Sequence, residues 1–335
     1  MIPPAMVCPP PDSPDTPTEP RLVGLDWGTT SLRGYLIAAG GRLLQQRHRP
    51  WGIRQLPPGG FDEAVRGIAG DWLSASPGLP MIASGMVGSR GGWKEAAYVE
   101  CPAELSKLAA GLATVETPLG TLRIIPGLIC VGDGRGGRPP ELLRGEETQA
   151  AGAVASDPSL GEDSLLVLPG THSKWVAIRE GRIEGFQTFM TGELFAVLRD
   201  HSILGDPARQ VAGGPRDGAA AFDRGVAAVR ESGPAGLSPR LFSARSLMLT
   251  GSLAEADTLE YLSGLLVGEE IRCAAAAAGG TASLPAIAIA GEAALCDRYL
   301  RACRACGISG VRLLGETAPT GLWMIAEAAS KGAAA

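Results

Sequence analysis

Two strand–turn–strand segments, one in each half of the chain, constrain the fold more than any other feature. The first is LVGLDWGTTSLRGYLI at 22–37, and the second is SLLVLPGTHSKWVAI at 164–178. In each segment an apolar run meets a bend of glycine and hydroxyl residues, and a second, largely apolar run follows. This is the pattern of two buried strands joined by a tight turn. A chain that repeats it is expected to build two similar α/β units.

The elements that follow each segment repeat the same order. Periodicity predicts strands at 22–26, 33–38 and 42–49, and then a continuation that gives β-β-β-α-β-α-β-α in total. A buried strand at 164–170 starts a second series, which also opens with three strands. The repetition is one of element order and not of residue identity.

The repetition divides the chain into three predicted parts. The first twenty residues are rich in proline and have no apolar stretch, so 1–20 is expected to be a disordered tail and not a signal peptide. The loop-forming residues near 156–164 separate an N-terminal domain at 21–158 from a C-terminal domain at 159–335. The final helix of the second part is the one element expected to pack back on the first domain.

The first turn fits two interpretations. Gly28, Thr29 and Thr30 suit an ordinary hairpin, in which glycine and hydroxyl residues favour the bend. Backbone N–H groups in such a bend also form concave anion sites that hold phosphate. Asp26, at the end of the preceding strand, is the kind of carboxylate that holds Mg²⁺ through water. The local residues leave both interpretations open.

The second turn has a matching set of donors. Gly170 and Thr171 offer backbone and hydroxyl groups, and Lys174 and His172 add positive charge. A histidine in a loop beside a surface lysine would explain the segment taken singly, but two such turns facing each other would grip phosphates from both sides. Gly291 ends a predicted strand, where a glycine lets a flat ring approach the backbone.

Two further segments combine cations with glycine or glutamate. SGMVGSRGGWKEAAY and LLRGEETQ supply four candidates for binding a substrate carboxylate and its surroundings: Arg90, Trp93, Lys94 and Arg144. Trp93 is equally compatible with a core anchor. Glu146 and Glu147 open a predicted helix, where negative charge suits the helix dipole.

Composition argues against several other functions. A net charge of −5 provides no basic field for nucleic acid, and no window approaches the ~18 apolar residues of a membrane span. Seven dispersed cysteines indicate reduced thiols and a cytoplasmic location. Cys303 and Cys306 lack the second pair that a zinc site needs. The glycines of a G-x-G-x-x-G, Gly132, Gly134 and Gly137, lack a strand–helix context and indicate a loop.

Eight segments taken in order resemble the 2-dehydro-3-deoxygalactonokinase family, from about residue 21 to 330: GLDWGTTSLRGYLI, MVGSRGGWKEAAYVECPA, IIPGL, RGEETQ, LPGTHSKWV, FMTGELFAVLRDHSILG, FDRGV and LSGLLVGEEI. This family is placed in the actin, sugar kinase and Hsp70 ATPase superfamily. The resemblance implies an α/β fold of two similar ribonuclease H-like (actin-like ATPase) domains around an interdomain cleft that holds ATP. The N-terminal domain would bind the sugar acid and phosphate, and the C-terminal domain the nucleotide.

The resemblance also implies the site. Together with the cations of the second turn, it indicates an ATP site of nine residues: Gly28, Thr29, Thr30, Gly170, Thr171, His172, Ser173, Lys174 and Gly291. The second turn lacks the acid usual in the superfamily, so Mg²⁺ would depend on Asp26. Related phosphatases carry a catalytic glutamate in a Gly-x-Glu-Glu helix start. Glu147 is therefore expected to be the base, with Glu146 as the alternative.

The implied activity is ATP-dependent phosphorylation of the 6-hydroxyl of 2-dehydro-3-deoxy-D-galactonate in galactonate breakdown. The partner would be this small sugar acid, with no nucleic acid and no membrane. The epimer preferred and the oligomeric state, with a homodimer as one option, stay open. Two alternatives are a polyphosphate or nucleotide phosphatase of the same superfamily, favoured by the paired glutamates, and a non-enzymatic ATP-dependent switch.

Overall fold

The computed structural model describes residues 19–132, 139–210 and 214–332. The tail predicted at 1–20 lies outside the described residues except for its last two positions. Gly134 and Gly137 of the glycine motif also lie outside them.

The described residues form fourteen strands: β1 (Pro20–Trp27), β2 (Leu32–Ala38), β3 (Leu43–Arg49), β4 (Met81–Gly85), β5 (Tyr98–Glu100), β6 (Ala113–Thr117), β7 (Gly120–Ile124), β8 (Gly127–Cys130), β9 (Glu141–Leu143), β10 (Asp163–Leu168), β11 (Ser173–Arg179), β12 (Arg182–Phe189), β13 (Ala286–Ala290) and β14 (Arg312–Leu314).

They also form ten α-helices: α1 (Gly60–Ala75), α2 (Leu105–Ala110), α3 (Glu146–Ser156), α4 (Thr191–His201), α5 (Asp206–Gln210), α6 (Gly218–Arg230), α7 (Ser243–Leu249), α8 (Thr258–Ala277), α9 (Ala293–Ala305) and α10 (Ala318–Gly332). Within the part of the chain that the structure describes, no helix combines the length and apolar character needed to cross a bilayer.

Two sheets share one topology. The first has the order β3-β2-β1-β4-β7-β6 and the second β12-β11-β10-β13-β14. In both, three consecutive strands pair antiparallel and the first of them pairs parallel with the next long strand, β1 with β4 and β10 with β13. The prediction of two similar ribonuclease H-like α/β units is therefore confirmed.

A third, small sheet, β5-β8-β9, is absent from the sequence-based expectations. The segment 122–128 is divided between β7 and β8. Pro126, between them, has no backbone N–H to donate, so the chain leaves one sheet there and enters the other. Strands of three residues, such as β5 and β9, are too short for alternation to reveal them.

Two helices pack between the two main sheets. One hydrophobic cluster contains Ile37 from the first sheet and Val176 from the second, together with Ala153 of α3 and Leu322 of α10. The last helix thus contacts the first half of the chain, through α3 and β1. Burial of this shared cluster holds the two sheets in one arrangement.

The opposite faces of the sheets have their own helical covers. In the first unit Leu25 packs with Ile68 of α1, whose apolar residues lie on one face. In the second unit Val167 packs with Val226 of α6 and Ile271 of α8. Both sheets are thus covered on both sides, which leaves the strand ends as the accessible backbone.

Candidate functional site

Asp26 lies at the carboxyl end of β1, beside the first turn. Its carboxylate accepts a hydrogen bond from Arg33 Nη1 at 3.3 Å, across the β1–β2 pair. Burial raises the pKa of Asp26 most strongly; Arg33 lowers it, and the charges of Glu316 and Glu146 raise it. The side chain is 18% exposed, so it is open to a small ligand at this strand end.

The first turn presents open amides. Gly28 N–H donates to Ser31 O at 2.9 Å and closes the bend. Among the described residues, the N–H groups of Thr29 and Thr30 have no hydrogen-bond acceptor. Both residues are at least partly exposed, so these donors are available to an anion.

A neighbouring loop supports this turn from behind. Ile53 N–H donates to Gly28 O at 3.1 Å, and Arg54 N–H donates to Thr29 O at 3.2 Å. A Cβ on Gly52 would lie 2.2 Å from backbone atoms of Thr29, so only glycine fits there. Sequence reasoning did not identify Gly52, which a lone glycine after a tryptophan signals only weakly.

The second turn, between β10 and β11, is open in the same way. In the described part of the chain the N–H groups of Gly170, Thr171 and His172 have no acceptor. The start of α4 packs behind the turn: Glu193 N–H donates to Thr171 O at 3.0 Å, and a Cβ on Gly192 would lie 2.4 Å from Gly170 O. The turn therefore rests on a helix terminus and keeps its amides free.

His172 and Gly291 flank the second turn. The ring of His172 hydrogen-bonds the carboxylate of Glu193, and both side chains are exposed. Gly291 follows β13, which runs parallel to β10, and its φ of 142° lies in the region that favours glycine. A Cβ there would lie 3.9 Å from Pro169 O, so the strand end adjoins the turn.

Glu146 and Lys174 connect the two halves of the chain. Lys174 Nζ lies 3.4 Å from Glu146 Oε1 and donates to His172 O at 3.1 Å. Lys174 is only 5% exposed, and the Glu146 side chain is 23% exposed. Glu146 Oε2 accepts from Arg144 N–H at 3.0 Å, which closes the start of α3. The predicted acid and the predicted lysine of the two halves are thus brought together.

The start of α3 also adjoins the first sheet. Gly145, just before the helix, has a φ of 109°, and a Cβ there would lie 3.4 Å from Gly85 Cα. Gly85 ends β4, and a Cβ on it would lie 2.7 Å from Trp27 O. Two glycines therefore allow α3 to begin at the carboxyl edge of β1 and β4, where Asp26 lies.

Glu147, the first choice for the base, has a different environment from Glu146. It is fully buried, and its carboxylate accepts from Gly145 N–H at 2.6 Å and from Thr148 Oγ1 at 3.0 Å. Burial, together with the charge of Glu146, raises the pKa of Glu147 to about 7. Its contacts are internal to the start of α3.

The four candidates for substrate binding separate into two groups. Arg144 donates to Ala96 O at 2.8 Å and stacks over Tyr98 at 4.4 Å; its Nε and Nη1 are buried without a partner among the described residues. Trp93 stacks on Phe61, with ring centroids 5.2 Å apart, and packs, partly buried, against the core of the first unit. This position is compatible with the core-anchor interpretation and leaves part of the ring accessible.

Arg90 and Lys94 are exposed on the same glycine-rich loop. In the described residues neither side chain has an ion pair or a hydrogen bond with protein. Arg144 holds this loop through Ala96 and Tyr98, so the three cations belong to one arrangement.

Ser173, predicted to bind ATP, has its side chain in the interior. It is fully buried, and its hydroxyl donates to Glu270 Oε1 at 2.7 Å. Glu270 was not singled out by sequence reasoning. A charged residue in the apolar run LSGLLVGEEI of α8 is the signal that would have found it.

A cavity of about 610 Å³ lies in the second unit, along α6 and α9. Ala294 and Asp297 of α9, Phe222 of α6 and Glu260 of α8 line it. Arg298 Nη1 donates to Glu260 Oε2 at 2.7 Å, and its guanidinium packs over the Phe222 ring. Ala294, one of its lining residues, follows Gly291 by three positions in the chain, and sequence reasoning did not predict the cavity.

A family model described as 2-keto-3-deoxy-galactonokinase matches residues 26–325. The chain belongs to this family. The match spans both turns, both glutamates at the start of α3 and the strand end at Gly291.

Two curated relatives agree with this assignment. A protein of Rhizobium meliloti (strain 1021), named "Probable 2-dehydro-3-deoxygalactonokinase", is 40% identical over 286 residues, 85% of this chain and 89% of its own length. The 2-dehydro-3-deoxygalactonokinase of Escherichia coli (strain K12) is 35% identical over 300 residues, 89% of this chain and 94% of its own length.

A crystal structure of a Sinorhizobium meliloti protein described by the same activity superposes with a TM-score of 0.80. The two chains are 36% identical, and the alignment covers 93% of this chain and 99% of the other. The whole two-sheet architecture is therefore shared within the family.

Proposed function

We propose that this protein transfers a phosphoryl group from ATP to the 6-hydroxyl of 2-dehydro-3-deoxy-D-galactonate, within galactonate breakdown. Membership of the family supports this, because both curated relatives carry the name of that kinase. The observation that carries the proposal is the 3.4 Å contact between Lys174 and Glu146, since it joins the second turn to the end of the first sheet.

The phosphates of ATP would bind at the two turns. Open amides at Thr29 and Thr30 on one side and at Gly170 and Thr171 on the other supply donors, and Lys174 supplies a charge. Phosphoryl transfer depends chiefly on positioning and charge neutralisation, which backbone donors and a lysine provide.

The nucleoside would extend from Gly291 into the cavity along α6 and α9. Its volume of about 610 Å³ lies within the usual range for small-molecule sites. Glu260 and Asp223 at its wall are each held by an arginine, Arg298 and Arg301, and the remaining lone pairs of their carboxylates offer acceptors for hydroxyl or amino groups of a nucleoside.

Asp26 would hold Mg²⁺. The residues fit this ion, because Mg²⁺ in kinases takes one or two carboxylates and completes its shell with water and phosphate oxygens. Asp26 is partly exposed at the strand end next to the first turn, as this requires. When bound, the ion neutralises charge on the phosphate oxygens.

The variant Asp26→Asn tests this assignment. It is expected to lower kcat by at least about a hundredfold while unfolding at the wild-type temperature, because metal-assisted charge neutralisation is lost. Asp71→Asn is the matched control, since Asp71 also pairs with an arginine, Arg47 of the same sheet. Equal activity of the two variants would remove Asp26 from the site.

Glu146 is the better placed of the two glutamates to accept the proton of the substrate hydroxyl. A general base must come within hydrogen-bond reach of that proton. Glu146 is partly exposed and beside Lys174, whereas Glu147 is fully buried and engaged by Gly145 and Thr148. Glu147 would then fix the start of α3, on which Glu146 sits.

Arg90 and Lys94 would bind the carboxylate of the sugar acid. Their side chains are exposed and without protein partners in the described residues, and Arg144 holds their loop in place. A carboxylate bound between two cations gains charge-assisted hydrogen bonds. The cysteines of the described residues form no disulfide, which supports action in the reducing cytoplasm.

An ADP-release assay on the purified protein tests the proposed function. Sugar acids derived from galactonate and from gluconate are compared with a reaction that contains ATP alone. ADP is expected only when a 2-keto-3-deoxy acid is present, with a phosphorylated C6 in the product by ³¹P and ¹³C NMR. Equal release without any acid would indicate a phosphatase, and no release with any acid would reject the kinase.

A further inference from the structure

Glu270 of α8 is a buried acid with four hydrogen-bond donors around it. It is 1% exposed. Oε1 accepts from Ser173 Oγ and from Trp175 Nε1, both at 2.7 Å. Oε2 accepts from Tyr299 OH at 2.7 Å and from Thr191 Oγ1.

This arrangement suits an ionised carboxylate. Two oxygens offer about four acceptor positions, and four donors occupy them. The Trp175 N–H can only donate, and among the described residues Glu270 has no cationic partner. Burial raises the pKa of Glu270 overall, although the hydrogen bonds from its four partners each lower it. A buried carboxylate without a cation weakens the fold unless its hydrogen bonds are complete.

The donors come from elements that flank the second turn. Ser173 begins β11 directly after the turn, and Thr191 begins α4. The residue after Thr191 is Gly192, which packs against Gly170 O with room for no Cβ. Tyr299 lies on α9, the helix that follows Gly291. The carboxylate of Glu270 thus links three elements: the second turn, the start of α4 behind it, and α9 beside the proposed nucleoside cavity.

We propose that Glu270 is a positioning residue for ATP: it holds the second turn against the start of α4 and against α9, so that the turn amides face the phosphates. The proposal rests on the proposed ATP site. Glu270 is buried beneath the turn, so it acts through Ser173 and Thr191 and touches no substrate. We therefore expect that weakening this cluster impairs the binding of nucleotide more than the binding of sugar acid.

Single-donor variants test this without emptying the interior. Thr191→Val and Tyr299→Phe each remove one hydrogen bond to Oε2 and keep the shape of the side chain. Tyr261→Phe is the control, because Tyr261 is equally buried and lies on α8. Its hydroxyl hydrogen-bonds Ser243 Oγ at 2.8 Å, at a distance from the turn.

Binding of ADP by calorimetry and the KM values for ATP and for the sugar acid are measured. We expect Thr191→Val and Tyr299→Phe to raise the ADP dissociation constant and the KM for ATP about tenfold, the effect of one hydrogen bond to a charged group. The KM for the sugar acid should change less than about twofold, because the first turn and the glycine-rich loop lie on other elements. Tyr261→Phe should leave all three values at wild type.

The variant Glu270→Gln provides a second test of the same role. The amide keeps the size of the side chain but replaces one oxygen by a donor, so the cluster is expected to weaken and to raise the KM for ATP. Unchanged ADP binding in Glu270→Gln and in both single-donor variants would overturn the proposal. So would an equal rise in the KM of both substrates, which indicates a merely structural role. If the wild type binds ADP but phosphorylates no sugar acid, the proposed function fails, and the ADP measurements still decide the role of Glu270.

Discussion

At the scale of the residue, neighbouring glutamates at one helix start have opposite environments. Successive helical side chains point about 100° apart, so Glu146 reaches Lys174 while Glu147 turns into the interior. The same two-residue motif therefore supplies one partly exposed carboxylate and one buried one. We expect their chemical roles to follow from this difference in exposure.

Replacing each glutamate by glutamine separates the roles. Glu146→Gln is expected to lower kcat by about 10²–10⁴-fold, the usual contribution of a general base. Glu147→Gln keeps an oxygen for Gly145 N–H and should lower kcat by less than about tenfold. Steady-state kinetics at saturating ATP and sugar acid measure both. The reverse ranking would make Glu147 the base.

The raised pKa of Glu147 also predicts that the stability of the protein depends on pH. Its pKa is about 7 in the folded protein against 4.5 for an ordinary glutamate, so between these values the folded state binds a proton that the unfolded chain has released. The free energy of unfolding therefore falls as the pH rises through this window, by about 3 kcal/mol in total. Glutamine does not titrate, so the free energy of unfolding of Glu147→Gln lacks this fall with rising pH.

Urea unfolding of the wild type and of Glu147→Gln at pH 4.5 and pH 8 measures the effect. The stability of the variant relative to the wild type should increase between the two pH values, since the other groups titrate alike in both proteins. A difference independent of pH would show that the carboxylate titrates normally.

At the scale of the element, α3 and α10 cross in direct backbone contact. A Cβ on Gly321 would lie 1.8 Å from Thr148 O, and a Cβ on Gly152 would lie 1.9 Å from Thr317 O. Glycine at both positions is what lets the two helices fit between the sheets. Because α3 begins with Glu146, this crossing also sets the position of the proposed base.

Gly321→Ala is expected to force the helices apart. Overpacking against backbone should lower the free energy of unfolding by about 3 kcal/mol and reduce kcat through displacement of α3. Gly70→Ala in α1 is the control, because a Cβ there meets only Arg66 Cγ at 3.4 Å and alanine favours the helix by about 0.5–1 kcal/mol. Chemical denaturation and kcat are measured for both; equal stabilities would contradict the close crossing.

At the scale of the whole molecule, the candidate site depends on contacts between the two halves. The shared cluster between the sheets brings their edges together, and Lys174 joins Glu146 at 3.4 Å. Lys174, which follows the second turn, thus contacts the proposed base, and the charge of that glutamate also acts on Asp26.

Lys174→Met tests this connection. It removes a nearly buried charge from both its carboxylate partner and the proposed phosphate site, so kcat/KM for ATP should fall at least about a hundredfold. Lys107→Met is the control, because Lys107 is exposed on α2 and donates only to Pro102 O. Wild-type kcat/KM in Lys174→Met would show that the two halves do not share one site.

The repeated strand–turn–strand pattern was enough to predict two similar α/β units, because burial of alternating or continuous apolar runs is a local property. The short strands β5 and β9 were not predicted, because three residues are too few to show an alternation of apolar and polar side chains. The turns at Gly28 and Gly170 were also recognisable, because bends need particular residues.

Sequence by itself thus determined the units, the turns and the family to which the chain belongs. Only the tertiary structure decided which residues meet. Lys174 contacts Glu146, Ser173 donates to the buried Glu270, and Trp93 packs against the core of the first unit. Such outcomes depend on which side chains the packed sheets and helices enclose, and burial is a property of the assembled fold that no local pattern contains.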